Sequence, residues 1–195
     1  MTLVLASKSA SRRAMLEAAG VRFAVAAAPV DERAVEASLG DAAPAAVALA
    51  LAEAKANAVT AERSEDLVLG SDSLVVCGSR RFDKPASRDE AAAHLAFFSG
   101  KVIELHSAAA LARGGEILWR GGDVARLAVR ALSPGFVADY LAYEWPAVAQ
   151  CVGVFRIEGR GVQLFSSIDG NHFTVLGMPL LQVLQALREL GELPA

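Results

Sequence analysis

Hydroxyl, ammonium, guanidinium and carboxylate groups gather in four short stretches of an otherwise alanine-rich chain. These are Ser7-Lys8-Ser9-Ala10-Ser11-Arg12-Arg13, Glu53-Ala54-Lys55, Gly70-Ser71-Asp72-Ser73 and Asp83-Lys84-Pro85. Cations and hydroxyls hold phosphates through charge-assisted hydrogen bonds, and carboxylates hold hard divalent cations through oxygen. The combined inventory suits a polyphosphate together with a metal ion.

The first stretch is the clearest anion site. Leu3-Val4-Leu5-Ala6 reads as a short buried strand and a helix follows at once. Free amides and the positive end of the helix dipole therefore face the turn between them. Ser7 and Ser9 add donors, and either Arg12 or Arg13 can supply a bidentate guanidinium. A capped surface helix with two solvated arginines would use the same residues. Neither GxxxxGK nor GxGxxG occurs, which excludes a P-loop and a dinucleotide fingerprint.

Asp72 follows the apolar run that ends at Leu69-Gly70. A carboxylate at a strand end can orient a water and accept its proton, hold Mg2+, or simply form a turn. Lys84 precedes Pro85, which restricts the backbone before it, so Lys84 is either a placed ammonium or a solvated lysine. Asp31, Glu32 and Glu53 are further carboxylates available to a metal. His94, His106 and His172 form no HxH, HExxH or His/Cys cluster and read as structural. Ser9 has no evident histidine partner, and no nucleophile elbow occurs, which argues against a serine hydrolase.

The elements that must position these groups alternate between strand and helix. A helix over 11–19 carries Met15, Leu16 and Ala19 on one face, is capped by Ser9 or Ser11, and stops at Gly20. Residues 23–27 form a second strand, and Pro29 with Asp31-Glu32 marks a loop. A long helix over 44–62 places Val47, Leu51, Ala54 and Ala58 on its apolar face. Residues 66–70 read as strand then turn, and 74–77 as strand again, before a hairpin turn at Gly78-Ser79-Arg80-Arg81. Ser87 with Glu90 is a capping box for a helix over 87–98. Strands over 102–112 and 117–130 flank Gly114-Gly115, and Ser133-Pro134 starts a helix to about Tyr143. Two short strands, 152–157 and 162–165, lie either side of Gly159-Arg160-Gly161. A last helix over 179–190 has Leu180, Leu181, Leu184 and Leu187 on one side. The class is α/β with a mixed sheet.

With 195 residues, 54% hydrophobic and 21% charged, the chain can bury one core or two joined lobes. The net charge of -3 gives no general pull toward nucleic acid polymers. No apolar stretch is long enough for a membrane span, and no basic leader opens the chain. Cys77 and Cys151 lie far apart in no metal-ligand or CxxC spacing, which reads as free thiols in a cytoplasmic protein.

In their order along the chain, these segments resemble the Maf family of nucleoside triphosphate pyrophosphatases. The resemblance spans residues 1–195 as a single domain. It is carried by Leu5-Ala6-Ser7-Lys8-Ser9-Ala10-Ser11-Arg12-Arg13, Pro29-Val30-Asp31-Glu32, Leu51-Ala52-Glu53-Ala54-Lys55-Ala56, Gly70-Ser71-Asp72, Asp83-Lys84-Pro85, Phe98-Ser99-Gly100 and Leu176-Gly177-Met178-Pro179-Leu180. It implies a mixed elongated sheet flanked by helices, with two lobes around a nucleotide cleft, and a homodimer. The implied reaction is metal-dependent hydrolysis, with Mg2+ or Mn2+, between the α and β phosphates of a nucleoside triphosphate. Asp72 then corresponds to the general base or metal-associated carboxylate. Ser7, Arg12, Lys55 and Lys84 correspond to phosphate-binding groups, with Ser9 and Arg13 beside them. Glu32 and Glu53 correspond to additional acidic residues for a metal.

In that family the substrate class tracks three positions that match Ser11, Ser73 and Glu158 here. The dTTP/UTP branch usually has arginine, threonine and glutamine there, so this chain departs at all three. The 7-methyl-GTP branch has tryptophan, glutamine and glutamate, of which only Glu158 is shared. The run Cys151-Val152-Gly153-Val154-Phe155-Arg156-Ile157-Glu158-Gly159 is closer to the second branch. A carboxylate can accept hydrogen bonds from guanine N1 and its exocyclic amine, whereas a glutamine suits a uracil or thymine edge. Modified purine triphosphates are therefore the expected substrates. The alternatives are a dTTP/UTP pyrophosphatase, an enzyme that removes only the terminal phosphate, and a nucleotide-sensing inhibitor of septum formation with little turnover.

Overall fold

The apolar triplet Leu3–Leu5 forms strand β1 in the computed structural model, which describes residues 2–194. It runs parallel to β2 (Ala24–Val25) and to β3 (Leu67–Cys77), with Leu3, Val4 and Leu5 opposite Leu67, Val68 and Leu69. β3 turns at Gly78 into antiparallel β4 (Arg80–Phe82). β5 (Val102–Arg113) is joined by Gly114-Gly115 to β6 (Glu116–Val129), and β7 (Phe165–Asp169) runs antiparallel to β6. The seven strands form one mixed sheet in the order β2-β1-β3-β5-β6-β7, with β4 branching from β3. Seven α-helices occur among the described residues: α1 (Ala10–Ala18), α2 (Glu32–Leu39), α3 (Pro44–Thr60), α4 (Arg88–Phe98), α5 (Pro134–Glu144), α6 (His172–Val175) and α7 (Leu180–Glu189). The α/β class with a mixed sheet is thus as expected.

The chain divides into two compact units. The first holds the chain up to Ser73, His106–Val124 and the chain from Asn171 onward, and the second holds Leu74–Leu105 and Ala125–Gly170. In the first, Leu5, Leu67, Leu69 and Leu111 from the strands meet Leu16 of α1 and Leu187 of α7, all fully buried. Removing such branched apolar side chains from water is the main force holding the unit together. α3 crosses β3 at Gly70, where an added Cβ would stand only 2.1 Å from the Ala52 carbonyl oxygen. Only glycine permits that approach, and it brings the middle of α3 down onto the middle of β3.

In the second unit, Phe82 packs edge-on against His94 and Phe98 of α4, at centroid distances of 5.0 and 4.6 Å. Ser87 caps α4 by accepting from the Glu90 amide at 3.1 Å, while the Glu90 carboxylate accepts from the Ala86 amide at 2.7 Å. Ser133 caps α5 by accepting from the Phe136 amide, with Pro134 in the first turn.

Several local expectations change. Gly70-Ser71-Asp72-Ser73 is not a turn between two strands, because β3 runs unbroken from Leu67 to Cys77 and is buried along most of its length. The loop expected at Pro29 with Asp31-Glu32 ends sooner: Asp31 accepts from the Ala34 amide and starts α2, whose first residue is Glu32. The buried face of α3 runs through Ala48, Ala52 and Ala56 rather than Ala54 and Ala58, since the helix rotates to meet Gly70. Residues 152–157 and 162–165 do not form two strands. The chain there makes turns and a short 3-10 helix (Arg160–Leu164), and at Gly161 an added Cβ would stand 2.5 Å from the Arg156 carbonyl oxygen. In α7, Val183 and Ala186 are buried and Leu181 is 55% exposed. His172 lies in α6 rather than a loop.

Candidate active site

Helix α1 begins with a chain of hydroxyl contacts. Ser7 Oγ accepts from the Ser9 amide at 3.2 Å, and Ser9 Oγ caps the helix by accepting from the Arg12 amide at 3.4 Å. Arg12 stands in the first turn and points inward, with only 8% of the residue exposed. Its Nε donates to the Gly177 carbonyl at 2.9 Å, Nη1 to Ser7 Oγ at 3.3 Å and Nη2 to Ser73 Oγ at 3.2 Å. Burial lowers its pKa from the ordinary value, and the nearby Asp72 and Glu32 carboxylates oppose that shift. A guanidinium keeps its proton under such conditions, so the side chain is a fixed, buried cation.

Helix α3 supplies the second cation. Lys55 Nζ lies 2.5 Å from Asp72 Oδ1 and 2.8 Å from Glu32 Oε1, and both Lys55 and Asp72 are largely buried. The close passage of α3 over Gly70 sets this pair, since Lys55 is one turn from Ala52 and Asp72 is two residues from Gly70. Glu32 is the first residue of α2, so the Asp31 cap fixes the start of the helix that carries it. Seven of the expected residues therefore meet in the first unit. Ser7, Ser9, Arg12 and Ser73 form one hydrogen-bonded set, Glu32, Lys55 and Asp72 form the other, and Asp72 and Ser73 are neighbours in β3.

The other expected residues lie apart from these contacts. Arg13 has a 58% exposed side chain and pairs with Glu17 at 3.6 Å. Ser11 Oγ donates to the Leu176 carbonyl at 3.0 Å. Glu53 pairs with Arg120 at 2.9 Å. Lys84 and Glu158 belong to the second unit. There, burial raises the Cys151 thiol pKa and Glu158 adds to the rise, while Arg156 and Lys84 oppose it. Glu158 lies 3.8 Å from Arg156, and the buried Glu144 accepts from the Arg160 amide at 3.2 Å.

Two contributors have no signature in side-chain pattern. The Gly177 carbonyl accepts from Arg12 and, at 3.3 Å, from Ser71 Oγ, which is fully buried and also donates to the Ala108 carbonyl at 2.8 Å. A main-chain acceptor is invisible in composition. Only the glycine hints at it, through a φ of +99° that L side chains rarely adopt.

Asp72 and Glu32 offer hard oxygen donors converging on one ammonium. No group of three or more His, Cys, Asp or Glu that could enclose a metal occurs among the described residues. The donor set fits Mg2+ or Mn2+ held by one or two carboxylates, with substrate phosphate and water completing the coordination.

The family described as Maf-like protein matches residues 2–190. The chain is 47% identical to a 7-methyl-GTP pyrophosphatase of Rhizobium meliloti, over 99% of this chain and 98% of that protein. It is 46% identical to a 7-methyl-GTP pyrophosphatase of Mesorhizobium japonicum, over 97% and 96%. It is 43% identical to a nucleoside triphosphate pyrophosphatase of Rhodopseudomonas palustris, over 96% and 93%. Contacts of Lys55 with Glu32 and Asp72 join segments from three of the matching motifs, and by the family match and these near full-length relatives the chain belongs to the Maf-like protein family.

Proposed function

We propose that this protein is a metal-dependent nucleoside triphosphate pyrophosphatase that cleaves the α–β phosphoanhydride, with modified purine nucleotides such as 7-methyl-GTP preferred. The observation that carries the reading is the buried Arg12 guanidinium near Asp72, together with the largely buried Lys55 that pairs with the Asp72 carboxylate. Relatives at 46–47% identity named 7-methyl-GTP pyrophosphatase support the substrate class.

Arg12 and Lys55 would bind the triphosphate and offset the charge that grows on the departing pyrophosphate. Lys55 engages Asp72 Oδ1, so Oδ2 is the oxygen that would orient a water and take its proton as the water attacks the α-phosphorus in line. The products would be a nucleoside monophosphate and pyrophosphate. Asp72 and Glu32 would hold the Mg2+ or Mn2+, which when bound supplies further charge neutralisation on the phosphates. Ser9, Arg13 and Lys84 would add to the phosphate site, and Glu53 to the acidic set. Ser11, Ser73 and Glu158 would tune the choice of base, with Glu158 accepting hydrogen bonds from the guanine edge.

The same reading includes a homodimer and a cytoplasmic setting. No helix among the described residues is long and apolar enough to cross a membrane. Cys77 and Cys151 are free thiols, which suits a reducing compartment.

A steady-state screen of 7-methyl-GTP, dTTP, UTP and the common nucleotides with Mg2+ or Mn2+ tests the reading. The expected result is monophosphate plus pyrophosphate, with the methylated nucleotide fastest. Diphosphate plus orthophosphate would instead identify a terminal phosphatase, and nucleotide binding without turnover would identify a sensor.

A further inference from the structure

Arg12 carries five N–H donors in a planar fork. Three of them already have acceptors on three separate segments: Ser7 Oγ after β1, Ser73 Oγ in β3, and the Gly177 carbonyl before α7. Each segment is itself held. Ser7 Oγ also accepts from the Ser9 amide. Ser71 Oγ donates to Gly177 O, and Ser11 Oγ donates to Leu176 O, so the turn before α7 is tied to both β3 and α1. Bonds from Nε and from both terminal nitrogens restrain the guanidinium plane, and one N–H on each terminal nitrogen remains beyond these three bonds.

The sequence resemblance makes residue 73 a reader of the base. The structure gives its hydroxyl a different partner, the Nη2 of Arg12. An added Cβ at Gly177 would stand 3.2 Å from Ser73 Oγ and 3.7 Å from Arg12 Nη2, so residues 73, 177 and 12 are packed against one another. A change of length or polarity at position 73 would therefore be felt first at the guanidinium.

We propose that Ser73 is a positioning residue: together with the Gly177 carbonyl it sets the plane of Arg12, and through Arg12 it fixes where a triphosphate lies. Residue 73 then influences substrate choice by shifting the phosphates along the site, without touching the base. This rests on the phosphate-binding part of the proposed function and goes beyond it.

Inorganic tripolyphosphate, which has no base, separates the two roles. Its binding is measured by calorimetry with the full chain in Ser73→Ala and Ser73→Thr, alongside the Arg12 Nε–H resonance by NMR. Ser73→Ala removes the acceptor without adding bulk, and Ser73→Thr keeps a hydroxyl. Tripolyphosphate affinity should fall about tenfold in Ser73→Ala, the size expected for one hydrogen bond to a charged group, and the Arg12 resonance should move. Both should return toward wild type in Ser73→Thr. Unchanged tripolyphosphate affinity in Ser73→Ala would overturn the proposal, whatever happens to base preference. Weaker binding with an unmoved Arg12 resonance would also overturn it, making Ser73 a direct phosphate ligand. Because the readout is binding, it stands even if the wild-type protein turns over no nucleotide, an outcome that would defeat the pyrophosphatase reading alone.

Discussion

The Arg12–Lys55–Asp72 group in the first unit and the segment around Glu158 in the second are held by very different amounts of structure. Arg12 is buried and bonded to three acceptors, and Lys55 sits between two carboxylates. Glu158 has a half-exposed side chain whose neighbour is Arg156 at 3.8 Å, on a run of turns leading into a short 3-10 helix. Groups fixed by strands and helices keep their geometry, whereas loop residues change at little cost to the fold. The contrast teaches that the proposed phosphate-binding groups are built into the framework, while the candidate base-reading residue sits where specificity can drift.

If that contrast holds, changes in the first group should be the most damaging. Asp72→Asn should lower kcat about a thousandfold, the scale of a lost general base, while nucleotide binding measured by calorimetry persists. Full activity in that variant would break the assignment. Gly70→Ala should come next, because its Cβ would overlap the Ala52 carbonyl and Ala56 amide and push α3 off β3. Denaturant unfolding should show a loss of about 2 kcal/mol or more, and turnover should fall as Lys55 leaves Asp72.

Changes in the second region should redirect rather than abolish activity. Glu158→Gln should reduce the preference for 7-methyl-GTP over dTTP by about tenfold in kcat/KM, with total turnover retained. An unaltered ratio would remove Glu158 from the base site. His94 offers a milder test of that unit, since burial lowers its pKa, partly opposed by Glu90. The unfolded chain therefore binds a proton that the folded one resists. Stability from this group is complete above about pH 6.5 and declines as pH falls below it. Replacing His94 with Gln should flatten that decline in unfolding curves between pH 7 and pH 5. Smallest of all, Glu17→Ala should change kcat/KM less than about twofold, because its exposed ion pair with Arg13 contributes little.

How much of this was legible in the chain depended on whether a feature is local. The Ser87-Glu90 box, the Ser133-Pro134 start and the Ser9 cap obey rules spanning four residues, and each starts the helix expected of it. The resemblance named Ser7, Arg12, Lys55 and Asp72, and it could do so without knowing how they touch. The unbroken β3 was hidden because Gly70-Ser71-Asp72-Ser73 has the composition of a turn. Its polar atoms are satisfied by distant partners, Ala108 and Gly177 for Ser71 and Lys55 for Asp72. Residues 152–157 misled in the opposite direction, since a buried loop can be as apolar as a strand. Val154 is fully buried there with a φ of +57°, outside any strand geometry. The α2 helix was missed because none of its residues is buried, so no apolar stripe announced it beyond the Asp31 cap.

The central claim is that a water held by Asp72 attacks the α-phosphorus while Arg12 and Lys55 bind the chain of phosphates. Hydrolysis of 7-methyl-GTP in water enriched in oxygen-18, with mass spectrometry of the products, tests it most directly. The label should enter the nucleoside monophosphate and leave pyrophosphate unlabelled. Label in pyrophosphate, or in released orthophosphate, would place the attack on another phosphorus and contradict the account.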